Sequence, residues 1–397
     1  MTRSATSPAT TPTSQQSGAT ASLATVYRAA SGRVFNFSAG PACLPEEVLK
    51  EVQADVWDIR GTGIGMLEHS HRMPTFDAVL AEAFADCKGL FGREWSDDYD
   101  IAFLPGGATM QFAMIPLNWL PVGSVAVYPD TGLWTSKAIS EAKRFDPTLV
   151  GRVHVAFEGS KFRYDHVPDA TELSLTPNAA YLHYCSNNTV YGTRYATPPS
   201  TPAPLVCDAS SEMFARPHDL RRHAMIYASG QKRLGPSGMV LVVLRKDFLA
   251  KARKGLPGML DYREYIAGES RPNTPPAFGI YLMGRMFKWI ARQGGPAGLA
   301  VANAEKAKLI YDAIDGSGAF YVGLARPDSR SHMNVSFRLA TEELAQRFAQ
   351  DAAAAGLDGL KGHKDAGGIR ASIYSAFPRE GCVALAEFMR EFARTKG

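Results

Sequence analysis

Cysteine is scarce in this 397-residue chain: Cys43, Cys87, Cys185, Cys207 and Cys382 stand apart, with no C-x-x-C pair and no Cys/His cluster at zinc spacing. That leaves no metal to assign and no disulfide framework, and it points to a reducing compartment, the cytoplasm. Long apolar runs are missing as well, so no membrane span is expected. A formal net charge of only +4, without a long basic run, argues against a nucleic-acid partner. Acid is absent from the start of the chain; the first carboxylate is Glu46. Residues 1–33, rich in Ser, Thr and Ala and carrying Arg3, Arg28 and Arg33, read as a disordered leader. Organelle import through such an acid-free leader is the alternative to the cytoplasm.

What is present is the composition of an ordinary enzyme, 45% hydrophobic and 21% charged. The length allows a large core and two domains. After an arm over 34–46, Pro45-Glu46-Glu47 opens a helix to about Ile59. Strand-like runs then fall at 101–104, 125–128, 152–157, 180–184, 204–208, 224–228 and 239–244, with helical patterns at 109–119 and 135–144. This predicts an α/β fold: a large domain over 47–295 built on a mostly parallel sheet of seven strands, covered by helices on both faces. Its ligands are expected at the carboxyl ends of the strands. A smaller α+β domain follows over 296–397, with helices at 299–314, 341–355 and 380–394 and an alternating strand at 333–339.

Four features carry chemistry. Lys232 sits in the turn Gly230-Gln231-Lys232-Arg233-Leu234-Gly235-Pro236 between two apolar runs. A lysine in an arbitrary turn is a solvated charge, whereas one buried at a sheet end has a lowered pKa and can bond to an aldehyde cofactor. Asp208 closes the run Pro204-Leu205-Val206-Cys207. It is either a capping residue or the partner of a protonated pyridine nitrogen. The 24 residues from Asp208 to Lys232 leave room for one helix and one strand, which brings both to one sheet edge. Gly106-Gly107-Ala108-Thr109 follows a strand and opens a helix. It is either a tight turn or a phosphate cradle, and it lacks both the G-x-x-x-x-G-K-[ST] and the G-x-G-x-x-G patterns. His71-Arg72, His363-Lys364 and Arg370, the last preceded by Gly367-Gly368, are candidate anion ligands.

These segments together resemble the phosphoserine aminotransferase family, pyridoxal-phosphate enzymes of class V with the aspartate-aminotransferase fold (fold type I). The resemblance runs in family order from about Val34 to the C-terminus. It includes Phe35-Asn36-Phe37-Ser38-Ala39-Gly40-Pro41, Ser70-His71-Arg72, His183-Tyr184-Cys185-Ser186-Asn187-Asn188-Thr189, Gly230-Gln231-Lys232, Asn273-Thr274-Pro275-Pro276 and Gly367-Gly368-Ile369-Arg370-Ala371-Ser372. The resemblance implies pyridoxal 5'-phosphate attached to Lys232, with Asp208 on its ring nitrogen, Trp134 stacked on its ring and Thr189 near its 3-hydroxyl. Ala108, Thr109 and Gln231 are implied at its phosphate, joined by Asn273 and Thr274 from a second subunit. Arg370 is implied on the substrate α-carboxylate, and His71, Arg72, His363 and Lys364 around the distal anion.

The activity so implied is amino transfer from glutamate to a phosphorylated 2-oxo acid, 3-phosphohydroxypyruvate, giving O-phosphoserine and 2-oxoglutarate, in a homodimer with interfacial sites. A role with 4-phosphohydroxythreonine in pyridoxine synthesis is a further expectation. Three positions depart from the family pattern: His332, where arginine is common, Thr109, where some members have arginine, and Lys364, where arginine is usual. The rival readings are another enzyme of the fold, such as an alanine–glyoxylate aminotransferase, and a non-catalytic phosphate-binding α/β protein. A cysteine desulfurase fares badly, because Cys207 and Cys382 fall in strand and helix patterns rather than on a loop.

Overall fold

The computed structural model describes residues 25–397. Seven segments form the central sheet: β1 (Tyr99–Pro105), β2 (Val125–Asp130), β3 (Arg152–Glu158), β4 (Tyr181–Cys185), β5 (Leu205–Asp208), β6 (His223–Ser229) and β7 (Met239–Arg245). Their spatial order is β1-β7-β6-β5-β4-β2-β3, and all pairings are parallel except those of β7, which runs antiparallel to both β1 and β6. The reason is local: the Gly/Pro turn carrying Lys232 is too short for a crossover, so the chain reverses at once.

Every residue of β4, β5 and β6 is buried, as is β7 from Met239 to Leu244. Such unbroken apolar runs belong to a sheet covered on both faces. Alternate residues enter opposite cores. Leu241 and Val243 meet Met286 and Phe287 on one face; Val240, Val242 and Leu244 meet Phe112, Ile115 and Trp119 on the other. The helices Pro74–Phe91 and Ala277–Arg292 cover the first face, and Ala108–Trp119 and Leu133–Lys143 the second.

The C-terminal part packs a three-stranded antiparallel sheet (Val322–Gly323, Asn334–Arg338, Ile369–Ser372) with the helices Gly295–Asp315, Glu342–Ala354 and Arg379–Lys396. Phe337, Phe348, Phe388 and Phe392 fill its separate core, which Phe35 and Phe37 of the arm complete. The arm adds a two-residue strand, Phe35–Asn36, parallel to Leu357–Asp358.

Two expectations need amendment. Of the expected leader 1–33, residues 1–24 lie outside the described residues. The stretch from Thr25 to Arg33 lies against the C-terminal core, where Tyr27 N donates to Ala355 O at 2.7 Å. Between Asp208 and Lys232 there is a strand but no α-helix; a loop with a 3-10 turn at Leu220–Arg222 precedes the strand, and a second 3-10 turn, Gly230–Lys232, follows it. Among the described residues no helix is long and apolar enough to cross a membrane.

Candidate active site

The carboxyl ends of β5 and β6 deliver the two central groups to one edge of the sheet. Asp208 is the last residue of β5, in register with Tyr227 of β6. It is buried, and its Oδ1 accepts from Ser210 N at 2.9 Å. Beyond β6, the 3-10 turn Gly230–Lys232 lifts Lys232 over the same edge. On the far side of β7, β1 ends at Pro105 and the chain turns through Gly106. Its φ of +101° suits glycine, and a Cβ there would stand 2.9 Å from Met110 Sδ. Gly107 then caps the helix Ala108–Trp119, and no side chain accepts from the first-turn N–H groups. An open helix N-terminus of this kind favours an anion.

These pieces enclose a cavity of about 340 Å³ lined by Gly106, Gly107, Ala108, Thr109, Trp134, Asp208, Gln231 and Lys232, with Ser210, Ser229, Ser237 and Gly238. Lys232 is only 8% exposed. Its Nζ lies 4.8 Å from the Trp134 ring centroid and makes no hydrogen bond or ion pair among the described residues. Burial pulls the ammonium below its ordinary pKa; the Asp208 carboxylate opposes this, and Arg370 adds to it. The amine is thereby eased toward its reactive, uncharged form. Trp134 is held by a 2.8 Å hydrogen bond from Nε1 to Thr189 Oγ1, and Thr189 O accepts from Arg370 Nη1 at 3.4 Å. Gln231 is fixed by the Ser229 hydroxyl, which donates to its Oε1.

The remaining candidates divide. His363 and Lys364 stand near Arg370: burial lowers the His363 pKa, Asp365 opposes this, and the charges of Arg370, Lys364 and Lys137 lower it further. Neither Thr189, Arg370, His363 and Lys364 nor His71, Arg72, Asn273 and Thr274 are among the residues lining the cavity of this chain. The segments that carry Arg72 and Asn273 meet where Asp77 pairs with Arg271 at 2.5 Å. Arg72, Asn273 and Thr274 are all exposed there. His332 belongs to a separate ion network, its Nε2 lying 3.2 Å from Arg194 Nη2 beside Glu212 and Arg216.

One buried neighbour was not singled out as a site residue. His183 sits on β4 with Nε2 2.9 Å from the Tyr227 hydroxyl, and no partner reaches its Nδ1. Burial lowers its pKa to about 4 against an opposing pull from Asp208. The available signal was a histidine and a tyrosine interrupting apolar runs on the two strands that flank Asp208.

The donor set fits a phosphorylated pyridine aldehyde. It offers a buried amine without a partner, a buried carboxylate with one oxygen uncommitted, an aromatic wall, and free N–H groups at a helix start.

Comparison with known proteins points the same way. The aminotransferase class-V family model matches residues 34–385. A phosphoserine aminotransferase of Niallia circulans is 47% identical over 368 residues, 92% of this chain and 100% of the relative. The solved phosphoserine aminotransferase of Bacillus circulans subsp. alkalophilus superposes with a TM-score of 0.88 at 47% identity, covering 92% of this chain and 99% of that one. The pyridoxal-phosphate-bound phosphoserine aminotransferase of Trichomonas vaginalis does so with a TM-score of 0.85 at 34% identity, over 90% of this chain and 100% of that one.

Proposed function

The chain belongs to the class-V aminotransferases and, within them, to the phosphoserine aminotransferases, and from that premise we propose the work of each side chain in the site. The protein is a pyridoxal-phosphate-dependent aminotransferase of serine biosynthesis. It moves the amino group of glutamate to 3-phosphohydroxypyruvate, giving O-phosphoserine and 2-oxoglutarate. Bound pyridoxal phosphate supplies the electron sink and carries the amino group between the two half-reactions.

Lys232 Nζ would hold the cofactor, and its amine would take and return the proton at the substrate α-carbon. Its buried position favours the neutral amine this requires. Asp208 keeps a proton on the pyridine nitrogen, and its seat on Ser210 N fixes the carboxylate. The N–H groups of Ala108 and Thr109, with the Thr109 hydroxyl and Gln231, bind the cofactor phosphate at the helix start. Trp134 walls the ring side, steadied by Thr189. Arg370 grips the α-carboxylate common to all substrates, and His363 and Lys364 meet the distal anion.

The observation that carries this reading is Lys232 Nζ, buried without a hydrogen-bond partner against Trp134, in one cavity with Asp208 and an open helix N-terminus. Further support for a homodimer comes from the outer surface bearing His71, Arg72, Asn273 and Thr274, which also exposes Met73 (48%) beside them. Trp57 (85%) and Leu67 (64%), earlier in the chain, are likewise exposed. A second copy seated on this apolar surface brings those four polar residues into its partner's cavity.

The test is a stopped-flow half-reaction. Lys232→Ala should retain cofactor absorbance yet convert O-phosphoserine at least about 10³-fold more slowly than wild type. A wild-type-like rate would sink the assignment of Lys232.

A further inference from the structure

Lys137 has no part in the assignments above, and three observations place it beside a wall of the cavity and near His363. It follows Trp134 by one helical turn in Leu133–Lys143, so the two side chains share a face. Its Nζ lies 4.9 Å from the Trp134 ring centroid, the same ring that Lys232 Nζ approaches at 4.8 Å. Its charge also reaches His363, where it acts with Arg370 and Lys364 against a single acid, Asp365. An exposed lysine without an acidic partner usually swings free in water. This one makes no ion pair among the described residues and rests instead over the indole of Trp134, itself a wall of the cavity.

We propose that Lys137 is a specificity-determining cation for the distal anion, and that it favours a phosphate over a carboxylate. The inference rests on the reading of the site as a phosphoserine aminotransferase. Arg370 is committed to the α-carboxylate that every substrate carries. Within its own subunit Lys364 then offers one fixed charge to the far end, alongside the Arg72 proposed to reach it from a second copy. A phosphate brings up to two charges, and Lys137 supplies a further cation from the Trp134 side of the cavity. Attraction between point charges scales with their product, so a dianion gains about twice what a monoanion gains from the same ammonium. The site sits at the surface, where each such contact is modest.

The experiment compares wild type, Lys137→Met and Lys137→Arg as holoenzymes in the half-reaction with O-phosphoserine, glutamate and alanine. Methionine keeps the stem against Trp134 and removes only the charge. The expected result is an apparent Kd for O-phosphoserine weaker by about five- to tenfold in Lys137→Met, and for glutamate by about two- to threefold. Alanine, the limiting rates and the cofactor absorbance should not change, and arginine should restore most of the loss. Equal weakening for all three amino acids would overturn the proposal, since the lysine would then only prop the indole; so would no weakening at all. Wild type failing to prefer O-phosphoserine over alanine would instead strike at the functional reading beneath it.

Discussion

Three histidines on and beside the central sheet, His183, His218 and His223, are held neutral by the force that lowers Lys232. Burial takes their pKa values to about 4, about 4 and about 3. For His223 the hydrogen bonds suit the neutral ring: Nδ1–H donates to Asp219 O at 2.8 Å, and Nε2 lies 2.8 Å from the Tyr184 hydroxyl. Each pKa is depressed relative to the unfolded chain, where histidine titrates near 6.5. As pH falls below that value the unfolded chain takes up protons the native chain refuses, so stability present above about pH 6.5 is lost toward pH 4. At about pH 5.5 each ring contributes roughly 1.4 kcal/mol of loss, and the three together about 4. Urea unfolding at about pH 7.5 and 5.5 should show the midpoint falling, and His223→Gln should fall less. A midpoint independent of pH over this window would refute the account.

At the scale of the element, the glycine turn before Ala108–Trp119 is where backbone geometry and chemistry meet. Gly106 has φ +101° and donates its N–H to Gly238 O at 3.0 Å; Gly107 has an ordinary extended backbone, and a Cβ there would meet only Ser229 Oγ at 3.6 Å. Gly106→Ala should therefore cost about 1–3 kcal/mol in stability and weaken pyridoxal phosphate binding by roughly tenfold, whereas Gly107→Ala should unfold like wild type. Thermal melts and cofactor titration of the apoenzyme separate the two; equal effects would mean that the turn is not strained at Gly106. This element was legible in advance because its signals are local: a strand, two glycines, then helical periodicity. The central strands were legible for the same reason, each being a short apolar run between turn residues. The antiparallel sense of β7 was implicit in the tight turn at Lys232. The missing helix between Asp208 and Lys232 was not, because residue spacing alone cannot tell a helix from a compact loop.

For the whole molecule, legibility depended on whether the contacts of a residue lie within its own chain. Lys232, Asp208, Trp134 and the Ala108–Thr109 helix start converge on one cavity, as strand ends at a common sheet edge must. The positions of His71, Arg72, Asn273 and Thr274 could not be read this way, since their expected targets belong to a second copy. Lys137 escaped notice because its partner Trp134 and its neighbour His363 are brought together only by folding. The shared-site reading makes a prediction that a self-contained subunit cannot satisfy. Lys232→Ala and Arg72→Ala should each be nearly inactive alone, the first for want of its amine and the second for want of an anion ligand. In a hybrid dimer, one cavity combines the intact Lys232 of one subunit with the intact Arg72 of the other. Co-expression of the two variants should therefore recover roughly a quarter of wild-type activity, since half of randomly paired dimers are hybrids and one site in two is whole. Native mass spectrometry reports whether hybrids form. Hybrids without recovered activity would place Arg72 outside the partner's site and sink the shared-site reading.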